Sequence, residues 1–375
     1  MEGVFAIEKP AGVSSAGFLN DVKRVFGSAQ IFETTLEEQK KRRLGGSKNG
    51  RARRAGQLKM GHGGTLDINA SGVLVVGIGA GTKKLHHYGL QTTKKYIAKA
   101  LLGGATTSGD SDGELVTKTA VDGITKEMVF GLAEKFKGTL TQTPPLFSAL
   151  KMEGKPLYEY AREGKPLPRA IASREVQIYD VKFYEDTLTT DHGYKFLKPT
   201  IDEDGVSLDK KLNGNPTLVD DPLHFSKEYT ESLKKEGKEP EVLEIKKLAD
   251  VDPTLDDEYR APMIHFECTV SSGTYIRSLI SDFGKALGSS AYMVDLVRSK
   301  QEAWEIGKNV FTLEDFRDND EAVWGPVLQK VFAEGEKIDV LEELKASKKK
   351  FEDAAKTEKS TKEEGLSSKR TIDEV

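Results

Sequence analysis

Gly61-His62-Gly63-Gly64-Thr65-Leu66-Asp67-Ile68-Asn69-Ala70-Ser71-Gly72-Val73-Leu74-Val75-Val76-Gly77 is the stretch on which the reading of this chain turns. Gly61, Gly63 and Gly64 let the backbone turn sharply and pass close to other groups. Residues 73–76 read as a buried strand, which holds Asp67 at the end of a rigid element. A carboxylate on a Gly-rich loop at a strand edge is a candidate reactive group. Asp also serves as an ordinary turn former in such loops, so the stretch alone leaves both readings open.

Upstream, residues 4–7 read as a short strand ended by Lys9-Pro10-Ala11-Gly12. Ser14 or Ser15 then caps a helix whose Phe18, Leu19, Val22, Val25 and Phe26 share one face. Residues 30–60 are poor in apolar side chains and read as a flexible basic insertion. Lys40-Lys41-Arg42-Arg43 and Arg51-Ala52-Arg53-Arg54 form two basic clusters there, and every charge from Lys40 to Lys59 is positive. A solvated loop is the plain alternative. Because the segment leads into the Gly-rich loop, Arg42, Arg43, Arg51, Arg53 and Arg54 are expected to contact phosphates, each adding about 0.9 to the salt slope of binding. The two clusters also have the spacing of a bipartite nuclear import signal.

Downstream, Gly77-Ile78-Gly79-Ala80-Gly81 lacks the glycine spacing and the later acid of a dinucleotide-binding turn, and reads as a structural turn. The adjacent His86 and His87 point apart and make a poor metal pair. Residues 94–102 alternate as a strand carrying Tyr96, 103–113 form a Gly/Ser/Thr/Asp loop, and 124–136 read as an amphipathic helix. Thr143-Pro144-Pro145-Leu146 opens an extended segment, and 157–162 form a short helix bearing Tyr158, Tyr160 and Arg162. Residues 264–270 read as a strand. Ser272 or Thr274 then caps a helix with Ile276, Leu279, Ile280, Phe283 and Leu287 on one face, closed by Gly288. Arg277 falls off that face, where a surface Arg is the default.

With 375 residues, 37% hydrophobic and 31% charged, the chain suits a soluble protein of one large or two small domains. No apolar run approaches the roughly 20 residues of a membrane helix, and Met1-Glu2-Gly3-Val4 resembles neither a secretory signal nor an Arg-rich presequence. Cys268 is the single cysteine, which excludes disulfides within the chain and cysteine-based metal sites. A net charge of −4 does not announce a nucleic-acid binder. Distribution matters more than the sum: acids crowd residues 202–257, and an acidic insertion can conceal a basic face in the total.

GHGGTLDINASGVLVVGIG resembles the catalytic motif of the TruB family of pseudouridine synthases, GH-x-G-x-LD-x-x-A-x-GVL. Four further segments match that family in order: Glu8-Lys9-Pro10-Ala11-Gly12-Val13-Ser14-Ser15; Lys95-Tyr96-Ile97-Ala98; Ser148-Ala149-Leu150-Lys151 through Leu157-Tyr158-Glu159-Tyr160-Ala161-Arg162; and Gly273-Thr274-Tyr275-Ile276-Arg277-Ser278-Leu279. The long insertions and short C-terminal end are most similar to fungal members. The resemblance implies an α/β (α+β) fold, with a mixed, largely antiparallel sheet, flanking helices and a central active-site cleft. It implies a catalytic domain over 1–320 with the basic insertion 30–60 and an acidic, partly disordered insertion 186–259 that projects from the fold and carries a charged helix near 227–238. Residues 321–375 are then a C-terminal extension, disordered from about Ala346, in place of the PUA-type RNA-binding domain of bacterial, archaeal and guide-RNA-dependent relatives.

The implied activity is that of a stand-alone enzyme isomerising uridine 55 of the tRNA T-loop to pseudouridine. Asp67 is the implied catalytic carboxylate. Arg277 lies beside it, where its charge favours the ionised form, and Tyr96 stacks on the base and helps take the C5 proton. The base must leave its stack, at a cost of a few kcal/mol. His62 matches the residue that wedges into the gap, and Tyr275 and Leu296 line the pocket. Gly61 and Arg298 complete the expected substrate-binding set with Lys9, whose segment packs beneath the catalytic loop in the family. No cofactor or metal is implied. The implied partner is the tRNA T-arm, extending to other RNAs with a T-loop-like hairpin, bound by a monomer without membrane contact. The nucleus is the expected compartment, with the mitochondrion and cytoplasm as further ones. A tRNA-binding or tRNA-folding protein on the same fold would have no need of Asp67, Tyr96 and Arg277. A guide-RNA-dependent synthase is disfavoured by the missing C-terminal match.

Overall fold

The computed structural model describes residues 1–44, 57–198, 214–248 and 258–370. In chain order the elements are β1 (Gly3–Lys9), α1 (Ser15–Gly27), α2 (Glu33–Leu44), β2 (Met60–His62), β3 (Ser71–Ile78), α3 (Leu85–Leu90) and β4 (Lys94–Leu102). There follow β5 (Gly104–Thr106), β6 (Leu115–Lys118), α4 (Lys126–Phe136), β7 (Gly138–Gln142), β8 (Lys151–Met152), β9 (Lys155–Pro156), α5 (Leu157–Arg162) and β10 (Arg174–Phe183). The chain closes with α6 (Lys227–Lys235), β11 (Met263–Val270), α7 (Ile276–Ala286), β12 (Ala291–Gln301), β13 (Trp304–Glu305), α8 (Leu313–Arg317), α9 (Glu321–Glu334) and α10 (Val340–Arg370). This is an α/β fold of largely antiparallel strands with flanking helices. Two compact units result, one of Met1–Leu90 with Lys300–Val375 and one of Gln91–Ser299. No helix among the described residues is long and apolar enough to cross a membrane.

In the first unit β3 pairs antiparallel with β1, from Gly3 opposite Ile78 to Lys9 opposite Gly72, and also with β2. Its Val73, Leu74, Val75 and Val76 are fully buried, as their continuous apolar run requires. Ser14 caps α1 by accepting the Gly17 N–H, and Phe18, Leu19, Val22 and Phe26 bury its expected face. Gly77 to Gly81 is close backbone packing: a Cβ on Gly81 would stand 1.9 Å from the Gly3 carbonyl oxygen.

Three expectations for this unit are corrected. Residues 33–44 form a helix where a flexible linker was expected. It is anchored by polar positions, with Thr35 and Gln39 buried and the Gln39 side chain accepting the Lys59 N–H at 2.6 Å. The expected boundary at 320 fails as well. Phe26 stacks on Phe32 and on Trp324 of α9, at 4.8 and 5.7 Å between ring centroids. Trp324, Val327, Leu328 and Val331 belong to the same core as Phe5 of β1. Helix α10 continues through Arg370, where a disordered tail was expected from about 346.

In the second unit the strand order is β12-β4-β11-β10-β7. β11 sets Cys268 opposite Tyr96 of β4, and Phe266, Phe283 and Phe136 pack with centroids 5.0–5.2 Å apart. Every residue of α7 is buried. Its N-cap is Tyr275 without a side-chain hydrogen bond, not Ser272 or Thr274 as expected. Those two hydroxyls donate instead to the carbonyls of Thr92 and Ser271.

The described parts of the 186–259 insertion pack on this unit and do not project from it. Phe196 lies in a core cluster with Tyr292, Glu228 of α6 accepts from the Thr139 N–H and hydroxyl, and the Ala120 N–H donates to the Lys246 carbonyl. Residues 199–213 and 249–257 lie outside the described residues.

Candidate active site

Asp67 sits in the connection between β2 and β3, partly buried, and its neighbours on both sides are held through their backbones. Ser15, buried in the first turn of α1, accepts the Leu66 N–H at 2.9 Å and donates to the Leu66 carbonyl at 3.1 Å. On the other side the Ile68 carbonyl accepts the Gly12 N–H at 2.9 Å and the Lys9 ammonium at 3.1 Å. The Ala70 N–H donates to Asp67's own carbonyl at 3.2 Å, closing a tight turn. A loop restrained at three consecutive residues presents its carboxylate with little conformational freedom left to lose.

Lys9 was placed in the substrate-binding set, on a segment expected to pack beneath the catalytic loop and support it. It is fully buried, and its ammonium donates to the carbonyls of Pro10, Val13 and Ile68 at 2.7, 2.8 and 3.1 Å. With its ammonium bonded to three backbone carbonyls and its side chain fully buried, Lys9 braces the loop from beneath.

The glycines of the loop have steric reasons. A Cβ on Gly63 would stand 2.6 Å from Cβ of Tyr88 on α3. The fully buried Gln301 ties those two residues together, donating to the carbonyls of Gly63 and Tyr88 at 2.7 Å each. A Cβ on Gly61 would stand 3.0 Å from Cδ1 of Leu85. His62, the last residue of β2, pairs opposite Val76 and is partly exposed.

In the second unit Arg277, only 3% exposed, donates to the carbonyls of Ser108 and Phe147 at 2.7 and 2.8 Å and pairs with Asp110 at 3.5 Å. It is therefore no surface residue. Asp110 accepts the Ser108 hydroxyl at 2.5 Å and the Asp112 N–H at 3.1 Å, which fixes its carboxylate toward the guanidinium. Tyr275, just before Arg277, exchanges two hydrogen bonds between its backbone and the Gln142 side chain at 3.1 and 3.3 Å. Arg174 lies 5.0 Å over its ring and also donates to the Gly273 carbonyl. Tyr96 on β4 and Leu296 on the neighbouring β12 are both nearly buried, at 7% and 5% exposure. Arg298 is fully buried in β12, so an exposed contact with RNA is excluded in this conformation.

The structure thus gathers Gly61, His62, Asp67 and Lys9 in the first unit, and Tyr96, Tyr275, Arg277, Leu296 and Arg298 in the second. Arg42 and Arg43 fall within α2, whereas Arg51, Arg53 and Arg54 lie outside the described residues. Ser15, Gln301, Asp110, Gln142 and Arg174 were not anticipated. Ser15 was visible only as a possible helix cap, and Asp110 only as one acid in a Ser/Thr/Gly loop.

Residues 52–193 match the family model described as TruB family pseudouridylate synthase (N terminal domain). The chain is 47% identical to tRNA pseudouridine synthase 4 of Saccharomyces cerevisiae, covering 94% of this chain and 90% of that one. It is 34% identical to tRNA pseudouridine synthase 4 of Schizosaccharomyces pombe, over 84% of this chain and 82% of the relative. To human pseudouridylate synthase TRUB1 it is 32% identical, over 84% of this chain and 63% of the relative. Identity of this extent over nearly the whole chain places it in the TruB family of pseudouridine synthases.

Proposed function

We propose that this protein is a stand-alone tRNA pseudouridine synthase that isomerises uridine 55 of the T-loop. The observation that carries the proposal is the 47% identity to tRNA pseudouridine synthase 4 across 94% of the chain. The reaction breaks the N1–C1′ bond, turns the uracil and joins C5 to C1′. Positive charge develops at the sugar carbon, as in glycoside cleavage. A hydrolase needs two carboxylates, because a leaving oxygen must be protonated and a water activated. Here the leaving uracil is a delocalised anion that stays bound and no water enters, so one carboxylate suffices.

In this reading Asp67 is that carboxylate and His62 is the wedge that fills the vacated stack. Tyr96 stacks on the flipped base and helps take the C5 proton, with Arg277 as the fixed positive charge and Tyr275 and Leu296 as pocket walls. The paired restraints on Leu66 and Ile68 support the assignment of Asp67, since a carboxylate acting at one carbon must be held in register with it. The same proposal makes the protein a monomer that binds the T-arm, and extends its substrates to other RNAs with a T-loop-like hairpin. It also makes the protein nuclear, with mitochondrial and cytoplasmic pools.

The test compares the wild-type protein with Asp67→Asn on a tRNA transcript, scoring pseudouridine at the T-loop uridine and tRNA binding in parallel. The expected result is no product from the variant with binding retained. Equal product from both proteins would remove Asp67 from the chemistry. Wild-type binding without turnover until a second RNA or protein is added would end the stand-alone reading.

A further inference from the structure

Arg277 owes its position to the loop it is bound to. Two of its partners, the Ser108 carbonyl and the Asp110 carboxylate, lie in the loop of residues 106–110. That loop bends at Gly109, whose φ is +78°. The space above Gly109 is already filled: a Cβ there would stand 2.5 Å from Cδ1 of Leu218 and 3.3 Å from Cβ of Arg277. Leu218, 5% exposed, comes from the acidic insertion, more than a hundred residues along the chain from the loop it covers.

Leu218 is in turn fastened to α7, the helix that carries Arg277. Its carbonyl accepts from the Lys285 ammonium at 2.6 Å and from the Ser281 hydroxyl at 3.3 Å. Lys285 also donates to the Asp221 carbonyl at 2.7 Å, whereas the Asp282 carboxyl stands farther off, at 3.8 Å. The turn between them is closed by Asp220, which accepts the N–H and hydroxyl of Thr217 at 2.8 and 3.0 Å. At the leading end Asn215 accepts the Leu167 N–H and donates to the Lys165 carbonyl. A lysine 7% exposed is costly to keep charged, and here its protons go to the backbone of the insertion.

We propose that residues 215–221 form a strap that positions Arg277, with Leu218 and Lys285 as positioning residues for the isomerisation. Leu218 presses on Gly109 and keeps the 106–110 loop against the guanidinium. Lys285 locks the strap to the helix at a fixed distance from the residue it serves. The inference rests on the role given to Arg277 under the proposed function. It assigns part of the insertion to catalysis, not to binding.

Because the strap acts through Arg277, its loss is expected in turnover and not in substrate affinity. A displacement of about 1 Å in a positioned group costs up to roughly 100-fold in rate. Full-length Leu218→Ala and Lys285→Met are assayed on a tRNA transcript, each alone and combined with Arg277→Lys, alongside thermal melting. For Leu218→Ala the expected result is a kcat lower by about tenfold with KM within about twofold, and an added loss under about twofold in the Arg277→Lys background. An unchanged kcat, a loss confined to KM, or losses that multiply fully in the double variant would each overturn the strap. Where Lys285→Met fails to fold, Leu218→Ala, which removes only apolar atoms, decides the matter. A wild-type protein that forms no pseudouridine rejects the functional reading. An active wild type matched by Leu218→Ala rejects the strap alone.

Discussion

The peptide groups flanking Asp67 are held by Ser15 on one side and by Gly12 and Lys9 on the other, and this sets what single substitutions should do. Ser15→Ala strips both hydrogen bonds from the buried Leu66 peptide unit. Leaving buried backbone groups unsatisfied costs about 1–3 kcal/mol, so the urea midpoint should fall accordingly. Turnover should fall further than the stability loss alone explains, because the loop beside Asp67 is loosened. Equal activity of Ser15→Ala and wild type under folded conditions would show that the loop keeps its geometry without this bond. Cys268 gives a second expectation. It is 1% exposed, and burial pushes its thiol well above the usual thiol range. A thiolate-directed reagent should therefore leave the native protein unlabelled and react on denaturation. Labelling of the native protein within minutes would mean that β11 opens readily.

Helix α9 was expected to lie outside the catalytic domain, yet its Trp324 stacks on Phe26 and is 2% exposed. Trp324→Ala should cost about 3–5 kcal/mol, the range for truncating a buried aromatic, measured by chemical denaturation. A change under about 1 kcal/mol would restore the boundary at 320. Helix α7 yields a pH dependence. Burial pushes the Asp282 carboxyl up to about 8, with Lys285 pulling the other way, and burial pushes Asp221 up to about 6. Between the ordinary 3.8 and these values the folded protein holds protons that the unfolded chain has released, so stability falls as pH rises through that window. Asp282→Asn should flatten the decline in the denaturation midpoint between about pH 5 and 8. An equally steep decline in the variant would place its origin elsewhere.

These elements also mark what the amino-acid pattern made legible. β1, β3, β4, β11, α1, α4 and α7 follow from apolar patterning, because each buries a run or a face of apolar side chains. Helix α2 was missed because its buried positions are the polar Thr35 and Gln39, with only Leu36 as an apolar contact to the core, and α10 because its charged face hides the few apolar anchors at Val340 and Leu344. The strap was illegible for a different reason. Lys285 and Leu218 act through backbone carbonyls and a glycine distant in the chain, and no local pattern records such a contact. Asp67, Tyr96 and Arg277 were named through family resemblance, whereas Asp110, the carboxylate partner of Arg277, emerges only from the fold.

Over the whole molecule, a net charge of −4 stands against the affinity for a polyanion that the proposed function demands. The resolution lies in where the charge sits. Acids crowd residues 202–257, and the described part of that insertion packs on the second unit, whereas residues 40–59 carry only positive charge and run directly into the Asp67 loop. Binding should therefore depend on salt as for a basic protein. Each phosphate neutralised on duplex RNA contributes about 0.9 to the slope of log K against log salt. Replacing Arg51, Arg53 and Arg54 together with Ala should lower that slope by about 2–3 and weaken tRNA binding most at low salt. At saturating tRNA, kcat should stay within about twofold, as expected of side chains that contact phosphates and carry no base readout. The check is a titration of labelled tRNA at several salt concentrations with turnover measured in parallel. A slope equal to wild type would mean that the phosphates are gripped elsewhere. A fall in kcat with the slope preserved would move these arginines from electrostatic capture to the shaping of the catalytic loop.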